Sequence, residues 1–324
     1  MLKQTAEYDL PSPIHDVVLD GGRAIVALEA GVGVLERGAL ARTLDVATHA
    51  LVASDDGQSV LGLSAPIDPP ARRISPPKER PCTRRVYRLR RPWASYEDLG
   101  VVSVEGWSAT YDGRHWPTYE GDFVTMFECV GASFGVRARF ETLWPYHIER
   151  IARGIWLETS SLGAEHFVVL SSPDLRELER GNLDRCKIDF PNEHFSHTAN
   201  APTLAQPIFC VAGDGAFRRT TAAVDDPVVH HPVKNVHRVV TLDGSVIARL
   251  PAPAAGLAAE SDRALVWYPE KGGLTFLFVS LREAWVKRRF SIAGATKAGA
   301  RLFGRKVAVW VGATLRVFRD VGDA

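Results

Sequence analysis

The chain has 324 residues, 46% of them hydrophobic and 24% charged, with a formal net charge of +1. These are the values of an ordinary globular protein, and the charge balance excludes a global field that would commit it to nucleic acid or to an anionic membrane. With 27 Gly, 20 Pro and 8 Trp against 2 Met, the composition favours many short strands joined by turns over a helical bundle.

The opening stretch 1–9 lacks the apolar core of a secretory signal, and no apolar run approaches the roughly 18 residues needed to span a bilayer. Cys82, Cys129, Cys186 and Cys210 stand far apart with no CxxC pair. A cytoplasmic protein without a disulfide framework is therefore expected. A strand meander follows. Residues 15–19 alternate, Asp20-Gly21-Gly22 turns, 23–29 and 32–36 read as two further strands, and 40–46 as a fourth. The pattern recurs at 50–53 and 59–63 around Asp55-Asp56-Gly57. Asp-Gly between β-prone runs is a strong hairpin signal, and the two turns lie 36 residues apart, within the spacing of repeat architectures.

The middle of the chain is less regular. Pro145 to Arg153 before Gly154 has the form of a short helix. Ser172-Pro173-Asp174 before Leu175 and Leu178 has the form of an N-cap with Pro at the first helical position, and Gly181 is placed to end it. Towards the C-terminus the hairpins return at 263–268 with 274–280 and at 305–311 with 314–319.

Repeated meanders bury two faces without leaving edges when they close into a ring of blades. The expectation is an all-β protein, a single β-propeller over residues 1–324 with about six or seven four-stranded blades and one or two short helices in loops. The terminal strands meet in one blade to close the ring. Irregular, loop-rich insertions fall within 66–93 and 142–235. A pair of β-sandwiches is the competing architecture. The segment 51–63 and the final hairpins resemble the WD-repeat and quinoprotein-like propeller superfamily, although no Gly-His…Trp-Asp signature is present. Bacterial propellers of this kind are similar to the propeller partners in MoxR ATPase–von Willebrand A–propeller ternary systems. The resemblance implies a protein-interaction scaffold in a multi-protein bacterial complex.

The net charge conceals an uneven distribution. Arg72, Arg73, Lys78, Arg80, Arg84, Arg85, Arg88, Arg90 and Arg91 are opposed within their segment only by Glu79, so the segment carries +8 and the rest of the chain −7. Guanidinium groups recognise carboxylates bidentately, so Arg84, Arg85, Arg88, Arg90 and Arg91 are candidate contacts to an acidic protein partner. Only Tyr87 and Trp93 interleave as stacking aromatics, which argues against nucleic acid. The aromatic-rich stretch 107–127 supplies Trp107 and Trp116 as candidate hydrophobic anchors. The alternative for each of these residues is structural: paired charges on an outer strand and rings packed between blades.

Catalytic signals are weak. Gly131-Ala132-Ser133-Phe134-Gly135 matches the GxSxG elbow in form, but the alternating residues 136–140 suggest a strand where a helix is required. His194, His197, His231 and His237 are the alternative metal ligands, or the partners of Ser133 in a propeller-fold hydrolase. The glycine spacing of a P-loop at 299–306 has Arg305 at the lysine position and a strand after it, and no dinucleotide fingerprint occurs. No cofactor is expected.

Overall fold

The computed structural model describes residues 2–37, 39–67, 82–161, 164–183, 193–199, 202–204, 206–213, 218–219, 230–231, 237–283 and 285–320, with the backbone alone for 193–195, 213, 218–219, 230–231 and 285. Arg72, Arg73, Lys78 and Arg80 lie outside this set. The described residues form a seven-bladed β-propeller. Blade 1 comprises Ile14–Asp20, Arg23–Leu28, Gly31–Glu36 and Ala39–Leu44. Blade 2 comprises Ala50–Ser54, Ser59–Leu63, Cys82–Arg90 and Tyr96–Val104, and blade 3 Gly106–Trp107, His115–Glu120, Phe123–Val130 and Ser133–Glu141. Blade 4 is Pro145–Ile151, Gly154–Ser161, Ala164–Leu170 and Glu177–Asn182. Blade 5 is Glu193–Ala199, Ile208–Gly213, Arg238–Thr241 and Val246–Arg249, with a small hairpin of Arg218–Arg219 and His230–His231 inserted. Blade 6 is Gly256–Glu260, Arg263–Glu270, Gly273–Ser280 and Trp285–Ala293.

Blade 7 takes Gly299–Phe303, Lys306–Val311 and Thr314–Asp320 from the end of the chain and its outermost strand, Leu2–Asp9, from the beginning. That pairing runs from Leu2 opposite Asp320 to Asp9 opposite Thr314 and closes the ring. The first strand of each blade is innermost, and those of blades 1 and 2, 3 and 4, 5 and 6, 6 and 7, and 7 and 1 touch around a central channel. The face on which these strands begin is here the upper face, and the face on which they end the lower. One stitch departs from the pattern: Thr110–Tyr111 leaves blade 3 and pairs in parallel with Ala53 and Ser54 of blade 2.

Seven apolar clusters lie among the described residues, one in each seam between adjacent blades. Val18, Ile25, Leu51, Val60 and Leu89 fill the seam between blades 1 and 2. Tyr8, Val17, Val26, Trp310 and Leu315 fill the closing seam between blades 7 and 1. Burying a large apolar side chain contributes about 1.5–3 kcal/mol, so the ring is held chiefly by these seams. A recurring device sets blade geometry at the inner edge. Gly106, Gly256 and Gly299 each begin an innermost strand and lie directly opposite Tyr119, Trp267 and Trp310. The aromatic ring covers the glycine so closely that a Cβ there would overlap it.

Both expected helices are strands or turns, and no helix occurs among the described residues. Pro145, Ile148 and Ile151 are buried at helical spacing, but a bulge between Pro145 and His147 produces that spacing in an innermost strand. After Ser172-Pro173, Leu175 takes a φ of +54°, which ends the turn; Leu178 then belongs to a strand paired with Ala164–Leu170. Ser133 opens a strand after the hairpin turn from Val130, as its alternating sequel requires, and 299–306 is another hairpin.

Candidate functional site

Arg84, Arg85, Arg88 and Arg90 fall on the third strand of blade 2, with Arg91 just after it, and register decides their fate. Tyr87 pairs with Asp98 and Arg88 with Glu97 across the outer hairpin, so carboxylates stand beside guanidinium groups. Arg88 is only 5% exposed. It donates to Glu97 through Nε at 2.8 Å, to Cys129 Sγ at 2.7 Å and to the Gly131 carbonyl. It therefore clamps blade 2 to blade 3 and has no surface to offer a partner, contrary to the expectation. Arg85 lies 3.7 Å from Asp98, Arg90 lies 3.5 Å from Glu97, and Arg91 pairs with Asp20, which also accepts from Trp93 Nε1 at 2.8 Å. Arg84 differs from all of these. It forms no ion pair with a described carboxylate, its guanidinium lies 4.9 Å from the centre of the Trp107 ring, and Nη1 donates to the Ser64 carbonyl at 2.7 Å.

Of the expected anchors, Trp107 is half-buried beneath Arg84 on the upper face. Trp116 is fully buried with Phe127 and Phe134 in the seam between blades 2 and 3, its Nε1 donating to the Ser108 carbonyl at 3.2 Å. Packing accounts for Trp116, which corrects its assignment as a contact residue. The large apolar surface that is exposed lies elsewhere on the upper face. Leu143 and Trp144, in the crossing from blade 3 to blade 4, are 62% and 56% exposed, with Phe123 and Tyr146 beside them at 44% and 40%. This crossing is held in place. Asp122 accepts from Thr142 N at 2.8 Å and from Trp144 N at 3.3 Å, and the Trp144 carbonyl accepts from Ser160 N at 3.2 Å. Trp144 has φ +43°, a conformation that a bulky residue rarely adopts. Glu120, Asp122 and Glu141 flank the ridge and form no ion pair with a described residue. The reading of 145–153 as a helix concealed this ridge; two large apolar residues in a crossing were the available signal.

The lower mouth of the channel opens into a cavity of about 620 Å³ walled by Val18, Leu19, Ala199, Leu257, Leu302 and Phe303. Buried carboxylates between neighbouring blades hold the ring together. Asp16, 7% exposed, accepts from Val17 N, Leu51 N and Arg301 Nη2, each at 2.8 Å, which ties blade 7 to blades 1 and 2. Burial raises its pKa against the opposing pull of Arg301. Glu149 plays the matching part between blades 3 and 4: it accepts from Ser108 Oγ at 2.8 Å and from Ala109 N at 2.9 Å, and burial raises its pKa also. Glu158 accepts from Trp156 Nε1 and Thr198 Oγ1 between blades 4 and 5.

No catalytic constellation forms among the described residues. His197 lies in the innermost strand of blade 5, its Nδ1 buried without a hydrogen bond. His237 marks the start of the third strand, where its carbonyl accepts from Leu250 N at 2.9 Å. His194 and His231 are placed by their backbones alone, and Ser133 lies on the far side of blade 3 from its channel edge. No group of three His, Cys, Asp or Glu side chains that would hold a metal ion occurs among the described residues. Among the described residues no helix is long and apolar enough to cross a membrane.

No protein-family model and no curated protein matches the chain by sequence. Solved structures do match it in shape. The WD40 domain of Neurospora crassa Pan2 is similar over 100% of this chain and 96% of its own, at 12% identity and a TM-score of 0.56. Saccharomyces cerevisiae Sqt1 is similar over 98% and 99%, at 9% identity and a TM-score of 0.56. Kuenenia stuttgartiensis hydrazine synthase is similar over 98% of each chain, at 12% identity and a TM-score of 0.59. At these identities the likeness shows the propeller fold, and function rests on the site itself.

Proposed function

We propose that this chain is a non-enzymatic protein-interaction scaffold, a propeller subunit of a multi-protein bacterial complex in the cytoplasm. The observation that carries the reading is the Leu143–Trp144 ridge, two large apolar side chains held out from the upper face by fixed backbone hydrogen bonds. Exposing Trp costs solvation free energy, and an unusual φ at the same residue adds strain; both are offset when a partner covers the ridge. Trp is also a frequent binding anchor. Arg84 and Trp107 extend the contact surface towards blade 2, with Arg85 as a screened rim charge, whereas Arg90 and Arg91 belong to the lower end of the same strand, beside Ser59 and Asp20. A partner therefore meets carboxylates around the ridge and a guanidinium near the channel. The resemblance to the propellers of MoxR–von Willebrand A systems suggests such a complex as a source of the partner.

The experiment is affinity capture from native host extract with tagged wild type and a Leu143→Ser/Trp144→Ala double variant, each checked for an unchanged circular dichroism spectrum. A partner enriched by wild type and lost from the folded variant supports the reading. Equal capture by both, or no capture by either at low salt, overturns it.

A further inference from the structure

We infer that the upper mouth of the channel at blades 1 to 3 is a carboxylate-binding pocket, formed by Arg84, Trp107, His49 and His15, that receives an acidic side chain of the protein partner. The inference rests on the scaffold reading and specifies what one part of that surface recognises. A guanidinium has five N–H donors, and Arg84 uses one of them, on the Ser64 carbonyl. Its Nε is shielded from solvent and makes no hydrogen bond. Trp107 lies under the guanidinium, as an aromatic ring holds a cation over its face. Burial lowers the pKa of Arg84, and no described carboxylate compensates it.

Two histidines complete the cluster. The His15 and His49 rings lie 4.5 Å apart, and the His49 backbone N–H donates at 2.6 Å to the Leu63 carbonyl, next in sequence to Ser64. The pKa of His49 is lowered by burial, by His15 and by Arg84; Asp16 opposes this, but it is already committed to Arg301, Val17 N and Leu51 N. Among the described residues, these three basic groups thus share no carboxylate other than Asp16. A planar carboxylate suits the edge of a stacked guanidinium and would favour protonation of the adjacent imidazole. Affinity for it rises as pH falls, because the bound anion raises the His49 pKa from its lowered free value.

The test titrates the full chain with an N-acetylated hexaglutamate peptide, with hexaglutamine and inorganic phosphate at matched ionic strength as comparisons. Imidazole NMR signals follow His49, assigned with His49→Gln. Hexaglutamate is expected to raise the His49 titration midpoint and to bind about three- to tenfold more tightly at pH 5.5 than at 7.5, since one pKa unit corresponds to a tenfold change. Hexaglutamine should have no effect, Arg84→Gln should lose binding, and His49→Gln should bind at pH 7.5 but lose the pH dependence. An unmoved His49, full binding by Arg84→Gln, or phosphate binding as well as the peptide overturns the pocket. Trp144→Ala should leave peptide binding intact, so a failed pocket alongside Trp144-dependent capture leaves the scaffold reading standing.

Discussion

Arg88 and Arg84 are four residues apart on one strand, yet they have opposite fates. Sequence reports their charge but not their neighbours across the sheet, and register supplies Arg88 with Glu97 and Cys129 while leaving Arg84 on an indole. Replacing Arg88 by Ala removes three contacts and leaves polar groups unpaired in a seam. Glu97 remains partly solvated, so the expected loss is about 2 kcal/mol, less than for a fully buried pair. Urea unfolding should show a lower midpoint at an unchanged slope, whereas Arg85→Ala should shift it by less than about 0.5 kcal/mol. The channel carboxylates make a second prediction at this scale. A carboxyl whose folded pKa is raised has its full relative stability below the ordinary carboxylate range and loses it as pH rises through the folded value. Glu149→Gln does not titrate there. The unfolding free energy of Glu149→Gln minus that of wild type should therefore increase from about pH 4 to pH 8; a difference that falls with pH would contradict the assignment.

At the scale of elements, the hairpins were legible because Asp-Gly turns and alternating runs are local signals. Asp20-Gly21 and Asp56-Gly57 mark real turns, and both glycines adopt positive φ. The two helices were misread because a bulge can reproduce helical spacing and because a Ser-Pro-Asp turn resembles a cap. The repeat was legible only from the spacing of these turns, since no Gly-His…Trp-Asp signature carries it. In blades 3, 6 and 7 it is carried by a glycine opposite an aromatic across the innermost strand pair. This pairing is visible only once register is known. Gly256→Ala and Gly299→Ala should each cost about 1–3 kcal/mol, because the Trp267 and Trp310 rings must move out of well-packed seams. Ala at Gly57, which also has positive φ but no atom within 4 Å of an added Cβ, should cost less and only through its backbone. Thermal unfolding of the three variants separates the two effects.

At the scale of the whole molecule, the ring depends on its closure. Leu2–Asp9 supplies the outer strand of blade 7, and Tyr8 enters the seam to blade 1. Deleting residues 1–9 exposes the edge of Thr314–Asp320 and opens that seam, so the truncated chain should lose cooperative unfolding or aggregate, as read by calorimetry and size-exclusion chromatography. Ring closure was legible from the strand patterns at the two chain ends, while the exposed ridge was not. Burial depends on which crossings the ring leaves uncovered, and composition made Trp116 and Trp144 look alike. The central claim is that this rigid ring serves to present a contact surface on its upper face. It is tested most directly by measuring the affinity of a captured partner for wild type and for Trp144→Ala under identical salt. The account predicts binding at least about tenfold weaker for the variant, as for a binding hot spot, with unchanged thermal stability. Equal affinity for the two proteins would contradict it.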